Sequence, residues 1–407
     1  MYRILLLLFA TVLINGQSST DYYTESTTQN WRSSSPTTES WYETTTYTPP
    51  PDPINTDCTC NFSNIWIDVI FAIDASNAMG NDGMNGAINY LLTSLLPPFP
   101  ISQYLGQYTR VGFIFYAKDV VIQSNLTTYS SWDQLADDLD NPGRFLQNTD
   151  ETNMEAAIQT ASDLLTTNNG GLVITYICIR PGGYNAPKQV ADTFKENGNK
   201  IIAIEYVQTH GIPIPELRNI SSPGFFLSSR DQDIGNYDLL YLFCYANCYC
   251  PSQLKPYDRM GILDVPTGGC FTQQNLPAAE LLAARTCQHG SNYSGILPKI
   301  LNDDDANFVT SLVANRVQQW IGLTRDYYGA PWKWGDGTLL SGYSIWANGE
   351  NSKSGNCAIQ AVLSGLKPEW LVQNCTTGFV YSCQLAPCST DNYCADTIGT
   401  AVENKKP

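Results

Sequence analysis

From residue 67 onward the hydrophobic positions fall into short unbroken runs, at 67–73, 110–116, 172–179 and 200–206, separated by stretches with a longer period. In one such stretch Met154, Ala157, Ile158, Ala161 and Leu165 recur at helical spacing, and Ile88, Leu91, Leu92 and Leu95 repeat it in another. Each set lies along one face of a helix. Runs without polar alternation are strands buried on both faces, so the alternation of strands and helices predicts a mainly parallel sheet with helices on either side. Ligands of such sheets bind beyond the carboxyl ends of the strands. The first run, IDVIFAID, ends there at Asp74, and Ala75-Ser76-Asn77-Ala78 follows.

The amino-terminal pattern is different. Arg3 precedes an apolar run over 4–14, and small residues follow at Asn15 and Gly16. This is the build of a signal peptide, too short for a membrane span, and it sets residues 1–16 apart from the fold. Residues 17–57 are dominated by Ser and Thr with Pro and scattered aromatics, have no apolar period, and read as a disordered stalk. No later segment approaches the roughly 20 apolar residues of a membrane helix. A net charge of −16 without a Lys or Arg cluster argues against nucleic acid, whose phosphates are held by basic contacts. Glycosylation sequons start at Asn61, Asn125, Asn219, Asn292 and Asn374, and with the leader they predict a secreted, extracellular glycoprotein.

Residues 58–248 resemble a von Willebrand factor A domain. FAIDASNAM stands where that family has its Asp-x-Ser-x-Ser metal motif, TDETNMEAAIQTA matches the segment that supplies a Thr ligand at Thr152, and VITYICIRPGG matches a strand that normally ends in Asp-Gly. The resemblance implies a metal site at Asp74, Ser76 and Thr152. Two departures work against it: Ala78 replaces the second hydroxyl, and Arg180 occupies the later Asp position. Mg²⁺ demands near-octahedral oxygen coordination, and a guanidinium beside Asp74 would pair with the carboxylate instead. The site therefore reads as degenerate, without a resident Mg²⁺ or Ca²⁺ cofactor.

Residues 249–386 resemble a C-type lectin-like domain, carried by QWIGL, WKWGDG, YSIW, GNC and EWLVQNCTTGFVYSC. Sugar-binding members hold Ca²⁺ with Glu-Pro-Asn or Gln-Pro-Asp in a long loop and Trp-Asn-Asp on the next strand. Here the loop reads Glu350-Asn351-Ser352 and the strand Trp370-Leu371-Val372. The loop proline is missing and two ligands have become apolar, whereas Ca²⁺ takes six to eight oxygens. Glu350 and Asn351 are thus ligand-binding candidates of a depleted site, Glu350 reading otherwise as a solvated loop residue. Trp332 is a candidate sugar platform, whereas Trp334 reads as packing. Asp303-Asp304-Asp305 resembles a calcium cluster but precedes an apolar helical pattern, where three acids suit a helix amino terminus.

Thirteen cysteines in a secreted chain suggest six bridges and one left over. The lectin-like resemblance implies Cys250–Cys270, Cys287–Cys383 and Cys357–Cys375. Cys58 and Cys60 flank one end of the A-like domain and Cys244 and Cys248 the other, giving two clasps of open connectivity. Cys388 and Cys394 would close the tail, 387–407, leaving Cys178 as a buried thiol. The two histidines, His210 and His289, sit in no catalytic spacing, and no GxSxG, HExxH or phosphate loop is present, so an enzyme is not expected. The two modules together resemble a family of secreted lectin-like proteins expanded in nematodes. That resemblance implies recognition of glycans, microbial surfaces or extracellular glycoproteins, and a part in innate defence. An adhesion or matrix protein that binds protein ligands through both modules is the alternative.

Overall fold

The computed structural model describes residues 4–10, 58–104, 106–169, 187–205, 215–229, 234–251, 253–261, 265–289, 295–313, 318–363 and 367–394. The stalk, the strand expected at 172–179 with Cys178 and Arg180, His210, the sequon at Asn292 and the tail beyond 394 lie outside them.

The first domain is a six-stranded sheet in the order β4-β3-β2-β1-β5-β6. Its strands are β1 (Ile4–Ala10), β2 (Asp68–Asp74), β3 (Arg110–Tyr116), β4 (Val120–Ser124), β5 (Lys200–Glu205) and β6 (Phe226–Ser228). All neighbours are parallel except β3 and β4. Every residue of β2 is buried, as a strand covered on both faces requires. One face carries α1 (Gly80–Tyr90) and its π-helical continuation Leu91–Leu95 around Phe71, Phe113 and Phe243. The opposite face carries α3 (Met154–Asn169), whose Met154, Ala157, Ile158, Ala161 and Leu165 are all buried against Ile70, Ile114 and Ile201. Both predicted helical stripes thus face the sheet. The remaining helices are α2 (Trp132–Asp138), α4 (Pro187–Glu196), α5 (Pro215–Ile220) and α6 (Asn236–Ala246).

One element departs from the sequence reading, which sets residues 1–16 outside the fold. Ile4–Ala10 is the strand between β2 and β5, with Leu5 opposite both Val69 and Lys200. The physical reason is that a leader's apolar core and a central parallel strand share one composition: each is a short uncharged run with no polar face.

The second domain has a sheet in the order β13-β12-β10-β14-β8-β7, with β11 paired to β10 and β9 to β14. These are β7 (Lys255–Pro256), β8 (Cys270–Ala278), β9 (Gly295–Ile296), β10 (Gln319–Thr324), β11 (Lys333–Trp334), β12 (Cys357–Ala361), β13 (Glu369–Gln373) and β14 (Phe379–Leu385), with helices α7 (Glu280–His289) and α8 (Asp303–Leu312). Trp320, Ile321 and Leu323 of β10 are wholly buried, and the Trp320 indole donates to Ala278 O at 2.7 Å. Gly322 between them has no alternative, because a Cβ there would stand 2.5 Å from Leu297 O.

Six disulfides are present: Cys58–Cys248, Cys60–Cys244, Cys250–Cys270, Cys287–Cys383, Cys357–Cys375 and Cys388–Cys394. The first two settle the connectivity that the sequence leaves open. The Cys388–Cys394 loop does not trail away but packs on the first domain. Trp66 donates its indole N–H to Ser389 O at 3.0 Å and lies between the rings of Tyr249 and Tyr393. Tyr249 and Cys388 exchange backbone hydrogen bonds, and Thr390 Oγ1 donates to Thr59 O while accepting from Asn61 N–H. Among the described residues no helix is long and apolar enough to cross a membrane.

Candidate functional site

At the carboxyl edge of the first sheet three loops meet. Ala75 N–H donates to Tyr116 O at the end of β3, Gln147 N–H donates to Ala75 O, and Asn77 N–H donates to Thr149 O. Asn153 N–H reaches Ala117 O, which draws the segment bearing Thr152 to the same edge. The fold therefore brings Asp74, Ser76 and Thr152 to one place. Asp74 is buried and accepts a 2.8 Å bond from Ser76 N–H. Burial pushes its carboxyl above the ordinary range, against that bond, and Tyr116 beside it is raised well above its own by burial and by Asp74. Ser76 Oγ is fully buried beside the Asp74 carboxyl and is left without a well-formed hydrogen bond.

This donor set does not fit a resident Mg²⁺. It offers one carboxylate, the Ser76 and Thr152 hydroxyls, and a methyl at Ala78 where a further oxygen would be needed.

In the second domain, Gly349 adopts a left-handed conformation and starts a short helical turn, Glu350–Ser352. Glu350 is not a solvated loop residue. Its side chain is buried, one carboxylate oxygen accepts from Val372 N–H of β13 at 3.1 Å, and the other pairs with Lys353 Nζ. The strand position whose side chain became apolar thus meets Glu350 through its backbone, and the cation beside the carboxylate is an ammonium.

A second cation holds the rest of the loop. Arg325, just after β10, is 6% exposed. Its Nε donates to Gly355 O at 2.8 Å and a terminal nitrogen to Lys353 O at 2.6 Å. The guanidinium sits 4.5 Å from the Trp332 ring centre and 5.1 Å from that of Tyr328. Gly355 admits this close passage: its φ is +143°, and a Cβ would lie 2.6 Å from Val372 Cγ1.

This corrects the expectation for Trp332. It is buried, with Arg325 over its face and Trp346 at 4.9 Å, so it supports the loop and offers no open platform. Asn351 remains exposed. Arg325 was invisible to sequence reasoning, since an Arg after a strand carries no motif. The signal available was indirect: a loop lacking its metal ligands needs another positive group.

Asp303, Asp305 and Asp336 are engaged in structural contacts. Asn302 caps α8 by accepting from Asp305 N–H, while buried Asp305 pairs with Arg259 at 3.0 Å and accepts from Leu301 N–H. Asp303 accepts from Tyr343 OH. Asp336 pairs with Lys299 at 2.8 Å and accepts from Thr338. Burial alone would raise its carboxyl, but these partners hold it below the usual range.

Comparison with known proteins agrees with this architecture. Residues 68–237 match the von Willebrand factor type A domain and residues 281–385 the lectin C-type domain. The C-type lectin domain-containing protein 160 of Caenorhabditis elegans is 24% identical over 378 residues, covering 86% of this chain. The chain spans 58% of that relative's length. Similar solved structures include human lithostathine (24% identity, 34% of this chain and 90% of that one, TM-score 0.29). The C-type lectin domain of murine dendritic cell inhibitory receptor 2, solved with an N-glycan, is 21% identical over 34% of this chain and 98% of its own, also at TM-score 0.29. The chain is therefore similar to the von Willebrand factor type A domain over residues 68–237 and to the lectin C-type domain over residues 281–385.

Proposed function

We propose that this is a secreted, non-enzymatic recognition protein whose C-type lectin domain binds glycans, free or on extracellular glycoproteins and microbial surfaces, without calcium, in innate defence. The observation that carries the calcium-free reading is the long loop. Arg325 and Lys353 supply the positive charge, and Glu350 closes onto Val372 N–H, so the groups that a metal would organise are already satisfied within the chain. Buried polar groups that are fully paired fix a single geometry, which is what a pre-formed binding surface requires.

Six disulfides support an oxidising, extracellular setting. The sequon residues Asn61, Asn219 and Asn374 are exposed, which suits glycosylation. The degenerate Asp74 site gives the first domain a metal-independent role, as a support or a second contact surface.

The test is a glycan array probed with the full chain in excess calcium and again in EGTA. The expected result is the same set of glycans at unchanged signal in both. Signal present only with calcium contradicts the calcium-free reading, and a blank array under both conditions counts against glycan recognition itself.

A further inference from the structure

Next to the calcium-free loop, two tyrosines stand out of the surface. Tyr327 and Tyr328 are 67% and 62% exposed, on the turn 325–330 that joins β10 to the loop's clamp. An exposed aromatic side chain normally turns freely, and fixing it costs rotamer entropy. Tyr328 is already fixed. Its hydroxyl donates to Ser352 O at 3.2 Å, and the buried Arg325 guanidinium lies over one face of the ring. The hydroxyl and one face are therefore held while most of the side chain stays exposed. Gly329 follows with φ +90°, a backbone turn that suits glycine.

We propose that Tyr327 and Tyr328 form a stacking platform for a neutral pyranose glycan, replacing the calcium-centred contact with an aromatic one. This rests on the glycan reading above and assigns it a place. A sugar ring offers apolar C–H faces rimmed by hydroxyls, so its site needs a flat aromatic surface edged with a few hydrogen-bonding groups. Asn351 and Ser352 are exposed beside Tyr328, and the Asp326–Lys333 ion pair at 2.6 Å flanks the same turn. That pair cancels its own charge, which favours a neutral saccharide over a sialylated or sulfated one. The preformed ring also explains how binding survives without a metal, because its ordering is settled before the ligand arrives.

The experiment is isothermal titration of the full chain in EGTA with neutral tetrasaccharides of mannose, galactose, glucose and N-acetylglucosamine. It compares wild type with Tyr327→Ala, Tyr328→Ala, Tyr328→Phe and the distant control Tyr104→Ala. At least one tetrasaccharide is expected to bind wild type. Tyr327→Ala and Tyr328→Ala should each weaken it tenfold or more, Tyr328→Phe by less than threefold, and Tyr104→Ala not at all. Tyr327 takes no part in the Arg325 contacts, so its variant keeps the loop intact and separates lost stacking from lost structure. Wild-type binding that survives both alanine variants overturns the platform and leaves glycan recognition standing, whereas no binding by wild type overturns both. A partner that binds equally well after enzymatic deglycosylation, and is lost in Tyr328→Ala, would make this a protein-binding surface and overturn the proposal.

Discussion

Arg325 does the most for its size. It is a buried cation with no carboxylate partner among the described residues, and two backbone carbonyls and two rings offset its desolvation. Arg325→Met would keep much of the volume and strand both carbonyls, so the lectin domain should lose about 3 kcal/mol. The 349–356 loop should become the first site of proteolysis; an unchanged melting curve and cleavage pattern would contradict the clamp. Asp74 is the converse case, an acid that the fold makes costly. Its folded-state pKa is raised by burial, so its ionisation destabilises the native state above the ordinary carboxylate range, and that penalty fades as pH falls through the raised value. Asp74→Asn, which keeps the acceptor for Ser76 N–H, should raise the melting temperature at pH 7 and lose its advantage at acid pH. Asp336 has the opposite sign. Its pKa is depressed, so its contribution is complete above about pH 4 and is lost only as pH falls through the folded value.

At the scale of elements, the sequence was most legible where composition and period agree. The α3 stripe and the fully buried β2 lie where period and composition place them, and the Trp320-Ile321-Gly322-Leu323 strand lies where the lectin-like resemblance implies it, because burial on a known face constrains every residue at once. Asp303-Asp304-Asp305 was legible for a similar reason: capping acts within one turn. The loop was not, since the side chains that settle it, Arg325 and Lys353, reach it from positions that no local rule marks. The leader was ambiguous in a more basic way. Ile4–Ala10 satisfies both a leader and a central strand, and the two fates exclude each other once the chain is cleaved. Mass spectrometry of the mature amino terminus decides between them. The secretion proposal predicts a start close to Gln17, with the place between β2 and β5 left to another apolar run, while a start ahead of Ile4 would keep β1 in the sheet and count against a leader.

Across the whole molecule the carboxyl-terminal loop ties the second domain back to the first. Disulfides Cys58–Cys248 and Cys60–Cys244 gather the ends of the first domain where the second begins, and the Cys388–Cys394 loop returns from the second domain to Trp66. Trp66 is 2% exposed and shared between domains, so Trp66→Ala should cost about 3 to 5 kcal/mol and free the tail. Small-angle scattering should then report a broader, longer molecule, and an unchanged profile would mean that the tail does not hold the domains together. A fixed arrangement matters for recognition, because it presents the lectin loop and the Asp74 edge in a constant relation to any extended surface. The central claim is that the loop is organised by the chain's own cations. Its most direct test is calorimetric titration of the full chain with Ca²⁺: the account predicts no saturable heat and no change in melting temperature, whereas micromolar binding that stabilises the lectin domain would contradict it.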